Sequence, residues 1–277
     1  MQAKKYPAVG KCIYCGAEEY APGSTRRFGD EHIIPDGLGG RLILPEASCK
    51  KCERITNQFE TPILKGIFHV VRKQLGIPSK KKRDPDKVTY VTELNGKLQY
   101  VTVDPKDYPG IIFTYTFFRP RILDGQPLLD DIIGCGMAGG GIEGLNWELP
   151  PEWFQGGTIS LPPIRKDASA LNLMRMLAKI AHSFAVAEGK IQSVRPLLLP
   201  LILGDDLKHA WHYVGGTYEE KPPRTDELFA MFLKDEVSPD GKRYLVADIR
   251  LYSHISGMPR YLVVIGEYPS DLLRCEP

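Results

Sequence analysis

The chain has 277 residues, with 36 Lys and Arg against 34 Asp and Glu, a net charge of +2, and 43% hydrophobic residues. That apolar share excludes a wholly disordered chain, and the near-neutral balance means that any nucleic-acid contact must come from local clusters rather than bulk charge. The longest apolar stretch, residues 197–203 with Pro200 inside it, has seven residues, against about 20 for a membrane span.

The opening MQAKKYPAVGKC has no apolar run after its lysines, so no secretory leader is expected and the chain is expected in the cytoplasm, where thiols stay reduced. Cys12-Ile13-Tyr14-Cys15-Gly16 reads as a tight knuckle that aims two thiols the same way. Residues 41–44 form a short strand candidate after the turn-like Asp36-Gly37-Leu38-Gly39-Gly40. Residues 49–60 read as a helix with Cys52, Ile55 and Phe59 on one face. Thr61-Pro62 suits the cap and first turn of a second helix, ending near Leu75 before Gly76 and Pro78.

Lys80-Lys81-Lys82-Arg83 lies in a basic linker. Residues 87–118 alternate and are β-rich, with Asn95-Gly96 as a hairpin turn. Residues 134–144 read as a glycine-rich loop. Residues 167–188 are the clearest helix, with Ala170, Leu173, Met174, Leu177, Ile180, Ala181 and Phe184 at helical spacing. Residues 244–268 read as a terminal hairpin turning near Gly257. The simplest division is a small metal-binding unit, residues 1–78, followed by an α+β domain of mixed antiparallel sheet and helix, residues 79–277.

Two C-x-x-C pairs, Cys12/Cys15 and Cys49/Cys52, point in a reducing compartment to metal rather than disulfides. Four thiolates fill a tetrahedral zinc site and leave no position open for substrate, so such a zinc is structural. The alternative is four reduced cysteines without metal. Between the pairs lies Gly29-Asp30-Glu31-His32-Ile33-Ile34-Pro35. A carboxylate there can hold a hard cation and the imidazole can take a proton from water. On a strand, however, Glu31 and His32 point to opposite faces, so both reach one substrate only across a turn or bulge. The plainer alternative is a surface turn. Asp205, Asp206, His209 and His212 form a second ligand-like set, better read as a capped helix start. His182 reads as core packing and Cys135 as a free buried thiol.

The order of C-x-x-C, Asp-Glu-His-Ile-Ile-Pro, Gly39-Gly40 and a second C-x-x-C opening a helix resembles the HNH endonuclease family, in its zinc-stapled branch. The resemblance covers residues 11–60. It implies a ββα-metal fold, in which a β-hairpin and a helix grip one divalent ion. It implies His32 as general base, with the acids Glu31 and Asp30 beside it, and a structural Zn2+ on Cys12, Cys15, Cys49 and Cys52. The catalytic ion, Mg2+ or Mn2+, would sit at Glu31. Where the family has Asn before the third cysteine, this chain has Leu44-Pro45-Glu46. Glu53 stands where the family has His or Asn, so Glu53 would complete the catalytic site, with Asn57 at i+4 and Glu60 at i+7 on the same helix face as alternatives; the plainer alternative for that face is solvation. Arg26, Arg27, Arg41, Lys50, Lys51 and Arg54 would contact the phosphates of DNA. The reading is a metal-dependent endonuclease hydrolysing phosphodiester bonds in DNA. The alternatives are a degenerate zinc module that binds nucleic acid or a protein partner, and an unrelated activity in residues 80–277.

Overall fold

In the computed structural model, residues 4–77, 87–94, 96–104, 111–129, 137–144, 158–160, 169–217, 225–255 and 257–269 are described. The basic linker at 80–83, Cys135 and Cys275 lie outside them. The chain is a mixed α+β protein. Its elements are β1 (Lys4–Lys5), β2 (Gly29–His32), β3 (Leu42–Ser48), α1 (Lys50–Lys65), α2 (His69–Gln74), β4 (Val88–Leu94), β5 (Lys97–Val103), β6 (Ile111–Phe117), β7 (Met137–Gly144) and β8 (Thr158–Ser160). There follow α3 (Ala170–Ala187), β9 (Arg195–Pro196), α4 (Leu199–Leu203), α5 (Ala210–Tyr213), β10 (Val214–Gly216), β11 (Phe229–Val237), β12 (Arg243–Leu251) and β13 (Tyr261–Glu267). Among the described residues, no helix is long and apolar enough to cross a membrane.

The N-terminal segment has the ββα order. β2 pairs antiparallel with β3, β1 adds in parallel to the other side of β3, and α1 follows after Cys49 alone. Between the strands, Ile33 to Pro35 are buried and the chain turns through a short 3-10 segment at Asp36–Leu38. Gly39 has φ +90°, the left-handed region that favours glycine. Gly40 is required for a different reason: a Cβ there would lie 2.1 Å from the Ile34 carbonyl oxygen. The double glycine is thus a conformational and a steric requirement side by side.

α1 buries Cys52, Thr56, Phe59 and Ile63, a stripe at helical spacing. The sequence expectation that Pro62 opens a new helix is not met. Pro62 is buried inside α1, which runs to Lys65 and closes through a Gly66 N–H donated to the Pro62 carbonyl at 2.8 Å. Pro62 removes one internal N–H donor, but Phe59, Pro62 and Ile63 pack into the core and carry the helix past it. The break comes at Gly66, and α2 follows.

α3 is the centre of the molecule. It packs against α1 on one side and against β10, β12 and β13 on the other. Residues 173–183 are buried without interruption, as expected of a helix covered all round. The Ser169 hydroxyl caps it by accepting from the Asn172 N–H at 3.2 Å. The five-stranded sheet has the order β10-β13-β12-β11, with β9 also pairing with β13. Both faces of its central strands are covered. Leu245, Ala247, Ile249, Val263 and Ile265 join the main core, and Tyr244, Val246, Leu262 and Val264 form a second small core closed by Leu123. The terminal hairpin is present as β12–β13; its outer neighbour β11 had no expectation attached to it.

The main core runs from Cys12 and Tyr14 through α1 and α3 to Ile265, so the segments before and after residue 78 pack across shared hydrophobic surface. The expected hairpin is present as β4 and β5, with Leu94 paired to Lys97, while Asn95 of its turn lies outside the described residues. The glycine-rich stretch is not a loop where it is described. Met137–Gly144 is β7, paired antiparallel to β6, because ladder bonds need only backbone donors and acceptors and glycine has both.

Replacing Gly40 by Ala is expected to lower the unfolding free energy by about 1–3 kcal/mol, read from urea denaturation. An unchanged midpoint would show that the Ile34 carbonyl is free to move aside.

Candidate metal centre and His32 site

The knuckle closes through the Gly16 N–H donated to the Cys12 carbonyl at 2.9 Å, with Gly16 at φ +73°. The Ile13 N–H donates to the Ala47 carbonyl at 2.9 Å, which ties the knuckle to the end of β3. Cys49 is the N-cap of α1 and Cys52 lies in its first turn, where the helix dipole favours thiolates. The four Sγ atoms lie within 4.8 Å of one another, and Cys15 and Cys49 are 3.7 Å apart. A tetrahedron of metal–sulfur bonds of about 2.3 Å has sulfur–sulfur edges of about 3.8 Å, so the donor set and its spacing fit one tetrahedral ion. Hydrogen bonding from Cys52 pulls the Cys12 thiol down, and the same contact pushes Cys52 up. Among the described residues this is the one group of three or more His, Cys, Asp or Glu able to share a metal ion.

The hairpin beside it carries a bulge. Gly29 pairs with Ser48 but Glu31 pairs with Leu44, so residues 45–47 stand opposite Asp30 alone. Glu46 sits at φ 51° and donates its N–H to Asp30 Oδ1 at 3.4 Å. Asp30 is therefore exposed and braces the bulge. Beyond it, strand alternation resumes, and Glu31 and His32 lie on opposite faces.

Glu31 points inward and is 6% exposed. It forms an ion pair with Lys179 of α3, which also meets Glu60 at 3.0 Å. Burial pushes the Glu31 carboxyl up, Glu60 adds to that push, and Lys179 opposes both. The buried Tyr14 hydroxyl lies beside this group, and its pKa is raised by burial and by the negative field of Glu31 and Glu60. His32 is half-buried and lines a cavity of about 380 Å³ with Asp36, Arg41, Ile43, Leu75 and Ile77. Glu31 is not part of that wall.

The helix candidates are engaged elsewhere. Glu53 accepts from the Tyr20 hydroxyl at 2.9 Å, and its Oε1 lies 1.8 Å from where a Cβ on Gly29 would stand. Only glycine at 29 leaves that carboxylate its place. Asn57 donates from Nδ2 to the Glu53 carbonyl at 2.7 Å. Glu31, Glu53 and Asn57 thus turn to three different partners, and the charge facing Glu31 is supplied by Lys179.

The basic residues are spread over the surface of the unit. Arg27 pairs with Glu46 at 3.3 Å, and Arg26 stacks over Tyr20 at 4.3 Å from the ring centre. Lys50, Lys51 and Arg54 are exposed on the first turns of α1, and exposed Arg41 stands at the cavity of His32. Lys179 and Tyr14 had no expectation attached to them. The signal for Lys179 was available: a lysine within the apolar run of α3 needs a buried counter-charge.

The Asp205–His212 set does not lie on one helix. Gly204, at φ +93°, ends α4, and α5 begins only at Ala210. His209 Nδ1 meets Asp206 Oδ2 at 2.5 Å, while His212 lines a separate cavity of about 370 Å³ with Tyr213, Tyr244 and Lys242. His182 is core, as expected, at 2% exposure, donating from Nε2 to the Ile13 carbonyl at 2.9 Å.

Compared with known proteins, the chain matches no family model, no curated protein and no solved structure. The HNH likeness therefore rests on the motif of residues 11–60.

Cobalt(II) titration is expected to give the intense visible bands of tetrahedral thiolate coordination at one ion per chain, and Cys49→Ser to abolish them; featureless spectra would exclude the centre. A separate expectation concerns acid. Burial, reinforced by the neighbouring Arg121, His209 and Lys242, lowers the His212 pKa from 6.5 to about 4. Between those values the unfolded chain binds the proton and the folded chain does not, so stability present above pH 6.5 is lost as pH falls towards 4. Wild type should lose about 2 kcal/mol from this group between about pH 7 and pH 5, and His212→Gln should remove that part of the loss in urea titrations.

Proposed function

We propose that the chain is an HNH-like endonuclease that hydrolyses phosphodiester bonds in DNA, with His32 as general base and Zn2+ on the four cysteines as a structural staple. The observation that carries the reading is the place of His32. It stands at the end of a stapled β-hairpin, on the wall of a cavity that also presents Arg41. An imidazole so placed can take the proton of an attacking water, worth about 10² to 10⁴-fold. A guanidinium beside it can hold a phosphate through paired N–H donors. The exposed Lys50, Lys51 and Arg54 extend positive charge along α1, which suits sequence-tolerant contact with a backbone. All four metal positions are filled by cysteine, so the zinc takes no part in the chemistry.

One observation favours a second reading, a zinc module that binds nucleic acid or a protein partner without cutting. Lys179 occupies the side of Glu31 where a catalytic cation would be needed.

Supercoiled plasmid incubated with wild-type protein in Mg2+, Mn2+ or EDTA separates the two. Cleavage is expected with a divalent ion and not with EDTA, and His32→Ala is expected to lower it by about 10² to 10⁴-fold with little change in DNA binding. Equal cutting by His32→Ala removes the base assignment. Salt-sensitive binding with no cutting under any metal selects the second reading.

A further inference from the structure

α3 is buried all round, yet it carries Arg175, Lys179 and His182, spaced four and three residues apart on one stripe. Each reaches a different piece of the N-terminal segment. The Arg175 guanidinium lies 4.6 Å from the centre of the Phe59 ring, and His182 bonds the Ile13 carbonyl. Lys179 does most. Its ammonium meets the carboxylates of Glu31 and Glu60 and donates to the backbone carbonyls of His32 and Ile33, the last at 3.5 Å.

Those contacts bear on the imidazole through strand geometry. Successive side chains of β2 point to opposite faces, so whatever holds Glu31 inward also holds His32 on the cavity side. Lys179 grips both ends of that lever, the Glu31 carboxylate and the carbonyl of His32 itself. It is 1% exposed, so water cannot take over either task. Burial works against the ammonium, but the two carboxylates outweigh it and keep the Lys179 pKa above its ordinary value.

We propose that Lys179 is the positioning residue of the His32 site, contributed by the part of the chain that carries no motif of its own. It touches no substrate; it acts by fixing the strand end from which the imidazole faces the cavity. Its role in cleavage rests on the reading of His32 as base, whereas its hold on His32 does not.

The test uses the full chain. Lys179→Met alone strands the buried carboxylate of Glu31 and the partly buried one of Glu60 and is expected to fold poorly. The triple variant Lys179→Met/Glu31→Gln/Glu60→Gln has no charge left in the cluster and is expected to fold, with the cobalt spectrum of wild type. Two readouts then separate positioning from plain packing. His32 is expected to react with diethyl pyrocarbonate, followed by mass spectrometry, several-fold faster than in wild type. On plasmid, kcat is expected to fall about 10²-fold with KM unchanged. Labelling at the wild-type rate, cutting at the wild-type kcat, or a triple variant that does not fold each overturns the role. Wild-type protein that leaves plasmid intact, with the labelling difference present, removes the nuclease reading and upholds Lys179.

Discussion

An ammonium group in a residue 1% exposed has to be answered by the protein itself. Around Lys179 the answer is two carboxylates and two backbone carbonyls, drawn from β2, the residue after it, and α1. Taking one partner from such a group leaves an uncompensated buried charge, at a cost of about 3–5 kcal/mol. Burial pushes the Glu31 carboxyl up, with Glu60 adding to it against the pull of Lys179, while the two carboxylates together hold Lys179 charged. The hairpin, α1 and α3 must therefore take up their places together.

A second lock sits at the other end of the hairpin. The thiol cluster joins the knuckle to the start of α1, and the knuckle is bonded in turn to β3. Between the locks the turn is fixed from outside, since the Tyr252 hydroxyl at the end of β12 donates to the Leu38 carbonyl at 3.2 Å. His32 lies between these three attachments. Pre-organisation of this kind is what a general base needs, because the proton acceptor must already be aimed when water arrives. It equally suits a rigid binding surface.

The parts of this arrangement that were legible in the sequence are those whose chemistry is local. Two C-x-x-C pairs announce themselves by spacing, Gly39-Gly40 by turn chemistry, and the 170–187 helix by periodicity. What was not legible depends on distant partners. Glu31 next to a histidine looks like a ligand until a lysine 148 residues further on is placed beside it. Glu53 has the right position for a metal site, and Tyr20, 33 residues earlier, takes it. Pro62 carries the marks of a helix start, and burial of its neighbours overrules them. The glycines of β7 look like a loop because side chains, not backbone bonds, supply the strand signal. β11 alternates too weakly to stand out, being an edge strand with much of its surface in solvent.

The polar stripe on α3 also limits how such a chain can be inherited in pieces. A ββα unit is often pictured as a cassette, cut at the nearest linker and joined to a new companion. Here a cut near residue 78 would carry away Glu31, Glu60 and the Ile13 carbonyl, and leave their counterparts at 179 and 182 behind. Recombination could shuffle this unit only if the helix travelled with it, or if the recipient already offered a cation at the same turn of a buried helix.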